Sequence, residues 1–97
     1  MAAATKPLVF KKIIIGCDHA ALELKDKVVK YLNDNYKNSL QEIFDAGVYT
    51  TDRVDYPDIA ANVCKKIQSK EYDGGILLCG TGIGISIAAN KFKGIRA

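Results

Sequence analysis

The sequence predicts an α/β domain of three layers, with helices on both faces of a parallel sheet. Two observations carry this. Ile13-Ile14-Ile15 and Ile76-Leu77-Leu78-Cys79 are apolar throughout, the mark of strands covered on both faces. Stretches with apolar residues at helical spacing separate and follow them, and strands that alternate with helices pair in parallel. At 97 residues the chain is one domain with a modest core.

The elements follow in order. Residues 1–11 carry no long apolar core and no cleavage pattern, so they are expected to be a flexible tail before a single α/β domain over 12–97. The β-branched run Ile13-Ile14-Ile15 ends at Gly16 as the first strand. Ala21, Leu24, Val28 and Leu32 then mark the inner face of a helix from about Ala20 to Tyr36. Glu23, Lys25, Asp26, Lys27 and Lys30 are placed on its polar side. Ile43-Phe44 with Val48 predicts the second strand. A polar loop, Thr50 to Asp55, leads to Pro57 at the first position of a second helix. Ala60, Val63, Cys64 and Ile67 give that helix its apolar face. Asp73-Gly74-Gly75 breaks the chain, and Ile76–Cys79 is the third strand. The glycine-rich turn Gly80–Gly84 opens a third helix from about Ile85 to Phe92, ended by Gly94. Ile95-Arg96-Ala97 reads as the opening of a fourth strand.

Right-handed crossovers give a Rossmann-like sheet of order 2-1-3, with the fourth strand beside the third. Strands 1 and 3 are neighbours where the order reverses, and ligands bind outside the carboxyl ends of such strands. Gly16-Cys17-Asp18-His19 and Cys79-Gly80-Thr81-Gly82 therefore meet in one crevice.

Composition narrows the function. The 14 Lys and Arg against 11 Asp and Glu give a net charge of +3, but the lysines are scattered over polar helix faces. Aromatics do not interleave with them, so nucleic acid is not an expected partner. The three cysteines are odd in number, widely spaced and without a C-x-x-C pair. They predict reduced thiols in a cytosolic protein and no bound metal. No run approaches the roughly 18 apolar residues of a membrane span.

The crevice residues each have two readings. Cys79 precedes a helix N-terminus, whose partial positive charge stabilises a thiolate, a usable general base; a cysteine there can equally be a small buried hydrophobe. Gly80-Thr81-Gly82-Ile83-Gly84-Ile85-Ser86 can converge backbone N–H groups on an anion, or be a tight turn. It fails the dinucleotide pattern, because Ile85 stands in place of the third glycine, and it lacks the Gly-Lys-Ser/Thr of a P-loop. Asp18 can be a helix N-cap. His19 is the single histidine. A carboxylate, an imidazole, a thiol and N–H donors in one crevice are the parts for proton transfer beside a carbonyl. Cys17 and Cys64 are assigned to packing.

At these residues the sequence resembles a known family. Gly16-Cys17-Asp18-His19-Ala20, Asp55-Tyr56-Pro57-Asp58, the run from Cys79 to Lys91 and the ending Gly94-Ile95-Arg96-Ala97 are similar to ribose-5-phosphate isomerase B and the galactose-6-phosphate isomerase subunits. The resemblance implies an aldose–ketose isomerase of the pentose phosphate pathway, interconverting ribose 5-phosphate and ribulose 5-phosphate through an enediolate, with no metal or cofactor. It implies Cys79 as the base that moves a proton between C2 and C1. It implies Gly80, Thr81, Gly82, Ile83 and Gly84 as the oxyanion cradle, with Ser86 beside it, and Asp18, His19 and Tyr56 as substrate-binding residues. Some family members place a glutamate base at the position of Ile85; this sequence is of the cysteine kind.

Family chains continue beyond the match. They add a fifth strand, a histidine proton donor followed by an asparagine, and arginines that grip the phosphate. They build the site across a dimer, so a homodimer or higher homo-oligomer is implied. The 97 residues are thus expected to be C-terminally incomplete, with base and cradle present and acid and phosphate clamp absent. Two other readings stand beside this one: a non-catalytic fragment of the family, and a flavodoxin-like module for a phosphate or nucleotide.

Overall fold

A computed structural model describes residues 10–97. The expectation of a tail over residues 1–9 lies outside the described residues. Phe10 and Lys11, counted with that tail, are held in place. The Phe10 ring lies against Gly74, and the Lys11 N–H donates to Asp73 Oδ2 at 2.5 Å.

The elements run β1 (Lys12–Cys17), a 3-10 turn (His19–Ala21), α1 (Leu22–Tyr36), β2 (Glu42–Asp45), α2 (Tyr56–Gln68), β3 (Gly74–Leu78) and α3 (Ile83–Asn90). The strands form one parallel sheet in the order β2-β1-β3. Ile13 pairs with Ile43 on one side and Gly74 on the other. β1 is therefore the central strand, and its residues from Ile13 to Cys17 are buried. That matches an apolar run with no polar alternation.

Successive side chains of β1 point to opposite faces. Ile13 and Ile15 pack with Leu40, Val28, Val29, Leu32 and Tyr36 on the α1 side. On the other face Ala60, Val63 and Cys64 of α2 are buried, and α3 packs on α2 through Ile85 and Ala89. Fully burying each large aliphatic residue contributes roughly 1.5–3 kcal/mol. The result is α1, the sheet, and α2 with α3, in three layers.

Four local expectations are corrected. The inner face of α1 is turned by one residue. Leu24 is 52% exposed, whereas Lys25 is buried at 1%. The stripe Ala21, Lys25, Val28, Val29, Leu32 and Tyr36 is as helical as the predicted one, and Lys25 finds partners that let its charge go inside. β3 begins at Gly74, not Ile76. The two glycines belong to the strand because a Cβ on Gly75 would lie 2.9 Å from Ile67 Cδ1 and 3.1 Å from Val63 Cγ1. Only a bare backbone lets α2 approach there. α3 starts at Ile83, two residues before the expected Ile85. Finally, residues 95–97 join no ladder. The Ala97 N–H donates instead to Asn90 Oδ1 at 2.9 Å, so the predicted fourth strand is absent and the sheet ends at β3.

Candidate active site

The carboxyl ends of β1 and β3 lie side by side. The Asp18 N–H donates to Leu78 C=O at 3.0 Å, which extends the ladder to the last residue before Cys79. One step on, Gly80 sits beside Ala20, a Cβ there being 3.7 Å from the alanine methyl. Stretches about 60 residues apart in sequence thus become neighbours, as the switch point requires.

Each side chain is fixed by its local structure. Asp18 is buried and caps the turn that follows, its Oδ1 accepting the Ala20 and Ala21 N–H groups at 3.0 and 3.2 Å. The N-cap reading is therefore correct for that oxygen. His19 is half-buried, and its Nδ1 accepts the Val54 N–H at 3.2 Å. A backbone N–H can only face an unprotonated ring nitrogen, so the neutral ring carries its proton on Nε2. Cys79 is half-buried, and its Sγ accepts the Gly82 N–H at 3.0 Å. Gly82 caps α3 with φ +80° in the left-handed region. Thr81 Oγ1 accepts the Ile83 N–H at 3.3 Å. The loop from Cys79 to Ile83 thus turns the Gly82 N–H back to the sulfur and the Ile83 N–H to the Thr81 side chain.

Tyr56 begins α2, and its ring rests on Gly84. A Cβ on Gly84 would come within 2.7 Å of Tyr56 Cζ. The two predicted residues, 28 positions apart, touch. Ser86 lies farther round. Its Oγ donates to Ile83 C=O at 3.4 Å, and the residue lines a different concavity. That groove, about 450 Å³, runs along β3 between α2, α3 and residues 94–97 and is largely apolar. Gly82 and Ser86 line it, whereas Cys79, Asp18 and His19 do not.

The three thiols differ in what surrounds them. Burial pushes the Cys17 and Cys64 thiols up from the ordinary range, and both are fully enclosed, as expected of packing residues. Cys79 alone reaches the crevice. Among the described residues no group of three or more His, Cys, Asp or Glu is placed to hold a metal ion. Sulfur, imidazole, carboxylate and inward-turned amides can together take a proton and stabilise the resulting oxyanion.

A family model described as Ribose/Galactose Isomerase matches residues 13–97. The chain belongs to that family. Ribose-5-phosphate isomerase B of Escherichia coli (strain K12) is 49% identical over 87 residues, which is 90% of this chain and 56% of that protein. Galactose-6-phosphate isomerase subunit LacB of Clostridium acetobutylicum is 45% identical over 85 residues, 88% of this chain and 47% of that one. Among solved structures, a ribose 5-phosphate isomerase from Thermotoga maritima is 53% identical with a TM-score of 0.80, over 89% of this chain and 57% of that chain. The chain spans about half the length of the family members it matches.

Sequence reasoning missed one residue that sits behind the family crevice. Lys25 Nζ is bonded to Asp45 Oδ1 and to Val48 C=O, each at 2.8 Å. The signal was available: a helix stripe through Lys25, and an aspartate closing the second strand. Buried lysine is rare in general, so the stripe alone does not place it inside.

Proposed function

We propose that this chain carries the proton-abstracting part of an aldose–ketose isomerase that interconverts ribose 5-phosphate and ribulose 5-phosphate. The observation that carries the reading is the Cys79 sulfur just past the end of β3, accepting the Gly82 N–H, with the Asp18 N–H bonded to the neighbouring Leu78 C=O. Cys79, as thiolate, takes the C2 proton of the open-chain aldose. The electron pair moves into the C1–C2 bond, and the C1 carbonyl oxygen becomes the enediolate oxyanion. Amides of Gly80, Thr81, Gly82, Ile83 and Gly84 stabilise that charge. The C2 hydroxyl proton then passes to the C1 oxygen, leaving the negative charge on O2; the thiol returns its proton to C1 as the C2 carbonyl forms, and the sulfur is a thiolate again. Asp18, His19 and Tyr56 hold the sugar hydroxyls, and Ser86 is a further substrate-binding residue. No cofactor takes part.

A five-carbon phosphate is favoured over a six-carbon one, since ribose-5-phosphate isomerases outnumber the galactose-6-phosphate isomerase subunit among the relatives. A homodimer is favoured by apolar surface on the outer side of α3, where Ile83 is 66% and Ile87 56% exposed. A cytoplasmic setting fits three free cysteines. Among the described residues no helix is long and apolar enough to cross a membrane.

A second reading is favoured by one observation. The matched relatives are nearly twice as long, so the 97 residues could fold and associate without turnover. One experiment separates the two. The purified chain is incubated with ribose 5-phosphate in D2O, with Cys79→Ala alongside, and C2 deuteration is followed by NMR. Exchange that vanishes in the mutant supports the isomerase reading. A folded chain with no exchange, even after a C-terminal segment of a family member is restored, overturns it.

A further inference from the structure

The buried Lys25 has a full set of partners, none of them a substrate. Its Nζ meets Asp45 Oδ1 and Val48 C=O at 2.8 Å, Asp26 Oδ1 at 3.4 Å, and the Tyr49 ring face at 4.9 Å from the centroid. A buried ion pair is weak evidence for stability, because desolvation offsets the attraction. Its use is better sought in what it holds still. Asp45 Oδ1 also accepts the Gly47 N–H at 2.9 Å. Gly47 C=O accepts the Cys17 N–H at 2.8 Å, and Val48 N–H donates to Cys17 C=O at 3.2 Å. The segment after β2 is therefore pinned to the residue before Asp18. The same segment runs on to Val54, whose N–H meets His19 Nδ1. The stretch from His19 to Lys25 thus grips one loop at both ends, at residues 45 and 48 by the ammonium and at residue 54 by the imidazole.

We propose that Lys25 is a positioning residue of the site, acting through residues 45–54 to hold His19 as the Nε2–H tautomer. The Val54 amide selects that tautomer, and the Lys25 anchor keeps the amide in place. His19 then presents a fixed hydrogen-bond donor to a sugar oxygen. A loop free to drift would leave the ring to exchange its proton between both nitrogens. The structural part of this inference is independent of the isomerase reading; only its consequence for turnover rests on it.

His19 is the single histidine, which makes the test direct. Long-range ¹⁵N–¹H correlation spectra of the untagged chain are recorded at mildly alkaline pH. The expected spectrum has an unprotonated Nδ1 and a protonated Nε2. Lys25→Met, shown folded by its dispersed amide spectrum, is expected to move both nitrogens toward averaged shifts, and Lys25→Arg to recover part of the wild-type pattern. If Lys25→Met does not fold, Tyr49→Phe, which removes the hydroxyl's hydrogen bond to Asp45 C=O, loosens the same loop and is read the same way. Where the chain turns over, the deuteration rate at saturating substrate is expected to fall roughly ten- to a hundred-fold in Lys25→Met with KM little changed. A protonated Nδ1 in the wild type overturns the proposal. So does a folded Lys25→Met with the wild-type pattern. Loss of exchange in every chain, with the tautomer shift intact, leaves this proposal standing and counts against the isomerase reading.

Discussion

The Gly82 N–H is aimed at the Cys79 sulfur, 3.0 Å away. The glycine loop therefore curls back on the residue that opens it, and the half-buried sulfur accepts a backbone amide. Cys17 and Cys64 are fully buried, and burial raises their thiols above the ordinary range. The contrast predicts stepwise labelling by an aromatic disulfide. One thiol of the folded chain should react quickly, and the other two only when denaturant is added. Cys79→Ala should remove the fast step and leave the slow one. Rapid release of more than one equivalent from the folded chain would contradict the burial of Cys17 and Cys64.

Gly84 and Tyr56 are coupled by contact. An alanine at 84 would push its methyl to 2.7 Å from Tyr56 Cζ and 3.0 Å from Tyr56 Oη. In an open helix Gly→Ala gains up to about 1 kcal/mol. Here the ring must move first, so Gly84→Ala alone should gain nothing or lose stability. Once Tyr56→Ala has cleared the space, the same substitution should stabilise. Urea unfolding of the two single variants and the double variant should give a coupling on the order of 1 kcal/mol. Additive effects would mean that the tyrosine ring yields at no cost.

The layers, the strand order and the meeting of Asp18 with the Cys79 loop were legible because they follow from long-range patterning. Two apolar runs read as strands of a helix-covered sheet, and a parallel sheet with right-handed crossovers has one switch point. What was not legible was decided by contacts that a single segment does not contain. Gly74 and Gly75 read as a breaker because nothing local says that α2 needs a bare strand to lie on. Lys25 read as surface because its partners, Asp45 and Val48, come from another element. Ile95 and Arg96 had the look of a strand, but pairing needs a neighbour in register, and the Asn90 side chain holds Ala97 off. The Val54 amide that fixes the His19 ring has no sequence signature at all, since every residue but proline has one.

Asp73 ties the entry of the chain to the sheet. Its carboxylate accepts the Lys11 N–H at 2.5 Å and the Lys12 N–H at 3.3 Å, and these bonds, the Lys11 one foremost, hold it below the ordinary 3.8. The sign follows from linkage: a carboxyl lowered in the folded state adds stability above its unfolded value, and that stability is lost as pH falls through the folded one. Between about pH 5 and about pH 3 the wild type should therefore lose more stability than Asp73→Ala, and the two urea midpoints should converge. In Asp73→Ala the Lys11 amide should exchange faster with solvent at every pH. Parallel midpoint curves for the two chains would remove Asp73 from the account of acid sensitivity.

Lys25 and Asp45 share a bond but not a degree of burial, and the difference predicts which partner is harder to lose. The lysine side chain is 1% exposed and the aspartate 31%. Burial opposes the Lys25 charge, yet the hydrogen bond and charge of Asp45 outweigh it, and the ammonium is held above the ordinary lysine range. Asp45→Ala strands a cation inside and should cost about 3 kcal/mol or more. Lys25→Met leaves a carboxylate that water still reaches, with the Val48 carbonyl as the main orphan, and should cost about 2 kcal/mol. A raised lysine stabilises at all pH below its unfolded value and stops doing so as pH rises through its folded one. Hence the gap between wild type and Lys25→Met should stay level through neutrality and close only above about pH 10. Urea titrations of the three chains at neutral and strongly alkaline pH decide it. If Lys25→Met is the costlier change, the buried lysine is held chiefly by the Val48 carbonyl and the Tyr49 ring, not by Asp45.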